Sequence, residues 1–164
     1  MNEQINISLT RLEDLEEVMI IYDKARSFMR EHGNLKQWAN GYPNKEIILE
    51  DIANQRSYVI TKEEQIIGVF TFINGEDETY HYIEGKWLND APYGVIHRIA
   101  SGQNEKGILH IALSYCFQFV NNIRIDTHKD NIVMQKALLK EGFIKCGVIY
   151  LKNGDPRLAY QKVI

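Results

Sequence analysis

Between His97 and His110 the chain reads HRIASGQNEKGILH, and two kinds of chemistry lie within that stretch. His97 is the side chain whose charge changes near neutral pH, so it can carry a proton in either direction. Beyond it, a loop without large apolar residues runs through Asn104 and Lys106 to Gly107 and opens into a helix that is apolar on nearly every side. In that helix His110, Ser114 and Gln118 fall four apart on one narrow stripe. Such a helix is buried, so the unpaired N–H groups of its first turn point out from a fixed place with the helix dipole behind them, which makes a seat for an anion. Lys106 at this positive end fits a bound anion, whereas Glu105 argues against one. The alternative is an ordinary strand-to-helix turn in which Gly107 serves geometry alone.

Three named motifs are excluded. Gly102 and Gly107 have Walker A spacing, but Ile108 and Leu109 stand where Lys and Ser/Thr must reach phosphate and magnesium. The dinucleotide fingerprint of three spaced glycines is absent. Ser101 lacks the glycine two positions earlier that a nucleophile elbow needs.

Glu84 and Asp126 rival His97 as general base. Strand alternation puts His97 and Ile99 on one face and Arg98 and Ala100 on the other, so one of the His-Arg pair faces any given side. The alternative reading makes Arg98 and Asp126 a buried ion pair and His97 a hydrogen-bonded core residue. Asp126, His128 and Asp130 alternate as metal ligands can, but without a partner cluster they read as a polar strand end followed by a helix cap, and no metal is expected. Trp38 and Tyr42, exposed on a loop, together with Tyr82 and Trp87, are candidates for an aromatic acceptor pocket, or for cover over the core.

The elements that must position these groups follow from periodicity. Residues 5–9 alternate as a strand; Thr10 and Glu13 read as a capping box opening a helix with Leu12, Leu15, Val18, Met19, Tyr22 and Met29 on one face. A loop with two glycines and a proline leads to a helix over 44–55, and 57–73 is two strands around a polar turn. Strands over 80–88 and 93–101, a helix over 107–120, a strand over 122–128, a helix over 131–141 stopped by Gly142, and strands over 143–151 and 157–163 complete the order. This order predicts an α/β (α+β) fold: a mixed, mostly antiparallel twisted sheet of about seven strands flanked by about four helices.

With 164 residues and neither repeat nor linker, the chain is expected to form a single domain over 1–164. A formal net charge of −3 argues against a nucleic-acid partner and fits a cationic small substrate better. The lack of a long apolar run or a signal-like start predicts no membrane association and a cytoplasmic location. Cys116 and Cys146 read as small buried hydrophobes and not as zinc ligands.

Strand, loop, apolar helix, the strand IRIDTH, a helix from Asn131, and the sequence EGF at 141–143 together resemble the GNAT superfamily of acetyl-CoA-dependent N-acyltransferases. QWANGYP, IIGVFTF, YHYIEGKW and YGVIHRIA extend the likeness over nearly the whole chain. The resemblance implies that Asn104, Lys106, Gly107, Ile108 and Leu109 hold the pyrophosphate of acetyl-CoA. By the same likeness Ile99, Ala100 and Ser101 lend backbone groups to its pantetheine arm, and Asn131 and Met134 face the cofactor. Asn104 and Leu109 depart from the usual ends of the pyrophosphate signature, and Leu138 stands where the family often carries a tyrosine acid. The implied activity is direct acetyl transfer to a primary amine of a small molecule or peptide, and a homodimer is compatible with the chain. The rival, motivated by those departures, is a catalytically inactive acyl-CoA-binding sensor.

Overall fold

The computed structural model describes residues 4–102 and 105–164. Its strands are β1 (Ile5–Leu9), β2 (Ser57–Lys62), β3 (Gln65–Asn74), β4 (Glu84–Gly85), β5 (Gly94–Ser101), β6 (Asn122–Thr127), β7 (Ile144–Tyr150) and β8 (Pro156–Val163). Its helices are α1 (Leu15–Glu31), α2 (Lys45–Ala53), α3 (Ile108–Cys116) and α4 (Ile132–Lys140). One eight-stranded sheet runs in the order β1-β2-β3-β5-β6-β8-β7-β4. All its neighbours are antiparallel except β5 and β6.

The predicted class holds, with one more strand than expected. Of the strand expected over 80–88 only the two-residue β4 forms, against β7; the rest is irregular because Tyr80 and Trp87 turn inward to cover the sheet. The expected cap at Thr10 is also corrected. Thr10 is buried, its hydroxyl bonded to that of Ser57 at 2.7 Å, and a short 3-10 turn over Leu12–Asp14 leads into α1, with the Arg11 N–H donating to the Asp14 carboxylate at 2.8 Å. α3 ends at Cys116 and not at Val120, because the chain tightens there into a turn, Phe119 N–H donating to the Cys116 carbonyl at 3.0 Å.

Helical and strand periods sort the apolar residues onto two faces. Val18, Ile21 and Tyr22 of α1 and Ile48 of α2 pack on Val59, Val69 and Ala100. On the opposite face Ile108, Ala112, Leu113 and Cys116 of α3 and Leu138 of α4 meet Phe70, Phe72, Ile96, Ile123 and Ile125. Gly68 of β3 sets how near α3 comes: a side chain there would lie 3.0 Å from two carbons of Ile108. Ile108 is 2 % exposed, and its burial stabilises the seating of the helix by about 1.5–3 kcal/mol. The start of α3 is thereby pinned beside the end of β5. Cys116 shares this interior, and burial pushes its thiol up to about 12.

Candidate active site

The parallel strands β5 and β6 pair at Gly94↔Ile123 and Val95↔Arg124, and then part. Beyond Val95, the edge of β5 that faces β6 has no strand partner, so backbone groups of Ile96 to Ser101 border a gap opening toward the carboxyl ends of both strands. A surface cleft of about 500 Å³ between Tyr93 and residues 117–121 lies at the other, paired end of these strands. A second cavity, of about 290 Å³, adjoins Asp77, Thr79 and Val95, beside the paired part of β5.

A bulge shapes the β5 wall. The register slips from Thr71↔His97 to Val69↔Ala100, so β5 carries one residue more than β3 there, and Arg98 sits in the left-handed region at φ +47°. Alternation breaks at that residue. His97 faces the side of Thr71, Arg98 reaches Asp51 on the same side, and Ile99 packs on the α3 face. Both members of the His-Arg pair therefore turn to one face, which simple alternation does not allow.

Arg98 is held from three directions. Its Nε and Nη2 donate to the two oxygens of fully buried Asp51 at 2.7 and 2.8 Å, and its Nη1 donates to the Tyr42 hydroxyl at 2.9 Å. The Tyr22 hydroxyl donates to its carbonyl at 2.8 Å. Burial works against its charge, but the Asp51 carboxylate outweighs that and raises the guanidinium above its ordinary value. The expected pairing with Asp126 is thus replaced by one with Asp51, which also accepts from Arg56 and Thr71.

His97 Nε2 lies 2.8 Å from Asp77 Oδ2. Burial opposes ionisation of Asp77, yet hydrogen bonds from His97 and Thr79 hold its carboxyl well below the usual range. Tyr80 spans the parted strands: its ring centroid is 6.3 Å from that of His97, and its hydroxyl donates to Asp126 Oδ2 on β6 at 2.7 Å. Burial, reinforced by the Asp126 charge, raises the phenol well above its ordinary value, so it stays a donor.

At the end of β6, Gln37 of the α1–α2 connection ties the gap's far wall. Its Oε1 accepts from Asn131 Nδ2 and Asn34 Nδ2, both at 3.0 Å, and from the Thr127 hydroxyl at 3.3 Å. Asn131 also caps α4, accepting from Met134 N–H at 3.0 Å, so its side chain is engaged within the protein. Across the gap, Gly107 precedes α3 at φ +78° with nothing within 4 Å of where a Cβ would stand. The N-cap of α3, Gly107, has no side chain to cap the helix and no acid lies in its first turn, so among the described residues the leading amides are uncontested.

The remaining expected residues divide. Ile99, Ala100 and Ser101 line the β5 edge, and Lys106, Gly107, Ile108 and Leu109 lie at the start of α3; Asn104 lies outside the described residues. Met134 packs on the core beneath α4, and Leu138 is fully buried and offers no acid. Glu84, exposed on β4 and bonded by the Tyr150 hydroxyl, is separated from the gap by β8 and β7, and Tyr82 lies beside Tyr150 at that outer edge. Trp38, expected on the surface, is 6 % exposed between Tyr22 and Tyr42. Trp87 is buried against Tyr80 and Arg124, because a tryptophan gains more by covering an arginine face than by lying in water. Among the described residues no three His, Cys, Asp or Glu side chains are grouped to hold a metal, and no helix is long and apolar enough to cross a membrane.

Asp51, Asp77, Tyr80 and Gln37 escaped the sequence reading. Asp51 had a signal, since it falls three residues after Ile48 on the buried face of α2. For the others, nothing local marks their partners.

The fold matches solved proteins along nearly the whole chain. The chain is 32 % identical to a GNAT-family acetyltransferase from Streptococcus agalactiae 2603, covering 99 % of each chain with a TM-score of 0.89. A GNAT-family acetyltransferase from Listeria monocytogenes 4b F2365 is 17 % identical, with 99 % and 100 % covered and a TM-score of 0.70. A ribosomal-protein-alanine N-acetyltransferase from Brucella melitensis is 15 % identical, with 97 % and 99 % covered and a TM-score of 0.63. The latter two show the fold alone. No family model and no curated protein matches the chain. The chain belongs to the GNAT family of acetyltransferases.

Proposed function

We propose that this chain transfers the acetyl group of acetyl-CoA directly to a primary amine, carried by a small molecule or a peptide. The observation that carries the reading is the pair of parted strands, with outward amides at one end and His97, Tyr80 and Asp126 gathered on the opposite face. The residues fit the cofactor. Gly107 leaves open space before the first turn of α3, and an anion there would meet N–H groups with no acid in that turn. The bare edge of β5 beyond Val95 supplies main-chain donors and acceptors for an extended amide-bearing arm.

Acetyl-CoA, when bound, supplies a thioester, which an amine attacks when neutral. His97 is the group in reach to take the proton, and Asp77 orients its ring and stabilises the imidazolium that results. Asp126, braced by Tyr80, offers an anionic contact for the incoming amine on the α1–α2 face. A main-chain N–H of β5 past the bulge is the donor for the developing oxyanion. Reactants approach from opposite faces, which gives the proximity on which direct transfer depends.

The test is release of CoA thiol over a panel of amines, with His97→Ala beside it. Turnover in the parent chain, falling in the variant far more than acetyl-CoA affinity does, is expected. Tight acetyl-CoA binding with no turnover on any amine would favour the inactive sensor; absence of binding overturns both.

A further inference from the structure

We infer that the acceptor carries a carboxylate as well as its amine, and that Arg157 receives that carboxylate. The inference rests on the reading of the chain as an amine acetyltransferase and names the substrate class.

Arg157 of β8 is 6 % exposed. Register pairs Asp126 with Ala159 and Thr127 with Leu158, which sets Arg157 beside His128. Leu158 packs on the α3 face, so Asp126, His128 and Arg157 share the opposite face, the one toward which His97 turns. Among the described residues Arg157 has one hydrogen bond, from Nη1 to the carbonyl of Pro156 at 2.9 Å, and no carboxylate within ion-pair distance. Two other inward arginines are engaged by side chains. Arg98 has Asp51, and Arg124 lies between the rings of Trp87 and Tyr93 at 4.1 and 4.0 Å.

Burying a guanidinium without a counter-ion is expensive, and this one stays charged at any physiological pH. Its other nitrogens are not sealed in. The enclosed side-chain atoms without partners among the described residues are Asn34 Oδ1 and Arg124 Nε, so Arg157 Nε and Nη2 keep contact with solvent. They form the planar fork that accommodates a carboxylate with two parallel bonds. The surroundings are basic as well. Burial, and then the Arg157 charge, lower His128 below its ordinary value; Lys129 and Lys36 push the same way, and Asp130 opposes them.

Asp126 completes the pattern. Its Oδ2 accepts from Tyr80, among the described residues its Oδ1 has no partner, and although it lies diagonally across the ladder from Arg157, at about 7–8 Å between such positions, the two form no ion pair. An anion and a cation held apart on one face suit a molecule with an amine at one end and a carboxylate near it, an amino acid. A phosphate is disfavoured here because the α3 amides that suit one open from the other face of the sheet.

The experiment compares leucine, leucinamide and 3-methylbutylamine as acceptors, in the parent chain and in Arg157→Gln and Arg157→Lys. Charge-assisted bonds of this kind predict that Arg157→Gln loses about ten- to hundredfold in kcat/KM for leucine. The two neutral amines should change little, and Arg157→Lys should recover part of the loss. Equal losses for all three acceptors, or none for leucine, overturn the inference while acetyl transfer stands. If no amine turns over, calorimetry with N-acetylleucine and its amide in the presence of CoA reads the same contact. Binding that depends on the carboxylate and on Arg157 supports it; equal or absent binding overturns it.

Discussion

Replacing Asp51 by alanine tests whether the bulge that aims His97 depends on a charge buried beneath it. The carboxylate is fully enclosed and meets Arg98 Nε at 2.7 Å, Arg98 Nη2 at 2.8 Å, Arg56 Nε at 2.8 Å and the Thr71 hydroxyl at 3.0 Å. Arg98 already bears a left-handed backbone, which costs about 1–2 kcal/mol in a residue other than glycine. Removing one member of a buried pair costs about 3–5 kcal/mol, because the survivor is left uncompensated. Arg56 is more exposed and adds less than about 1 kcal/mol. Against a total stability of about 5–15 kcal/mol this is a large fraction. At about 2–4 °C per kcal/mol for a chain of this size, the melting temperature should fall by about 6–20 °C. Urea titration should show a lower midpoint at unchanged slope. The double variant Asp51→Leu with Arg98→Met, which removes both charges, should lose less than the single one. If Asp51→Ala melts within about 2 °C of the parent chain, a shift worth no more than about 1 kcal/mol, the pair does not hold the bulge.

Gly107→Val forces a β-branched residue into φ +78° without a steric neighbour, so the fold should survive a loss of about 1–2 kcal/mol while acetyl-CoA affinity drops at least about tenfold by calorimetry; an unchanged Kd would remove this loop from the cofactor site. Asp77→Asn should flatten the acid limb of stability measured by denaturation from pH 7 to pH 3. The native carboxyl is held below its ordinary range, so its stabilisation is complete above about pH 4 and is lost as pH falls through the folded value. An acid limb identical to that of the parent chain would show that the bonds from His97 and Thr79 contribute nothing.

The elements were legible because burial repeats with the local period of the backbone. The amphipathic α1, the apolar α3 and the strand that feeds it are written in residues that are neighbours in the chain, and Gly107 announced its left-handed turn by being glycine. The same locality explains the errors. Strand alternation assigned His97 and Arg98 to opposite faces because a bulge built on a left-handed arginine carries no sequence mark. Arg98 was matched with Asp126 on the neighbouring strand, but its partner is Asp51, on a helix 47 residues away.

Trp38 stands among turn residues, and its local setting alone placed it outside; packing against Tyr22 drew it in. Glu84 was eligible as a base by chemistry, and strand order alone removed it to the far edge. Local periodicity thus carried which segments fold and which of their faces are apolar. Which charges meet, which acid orients His97 and which cation is left without a counter-ion among the described residues were decided by the order and register of the strands, since these bring together residues between which the chain itself stores no spacing.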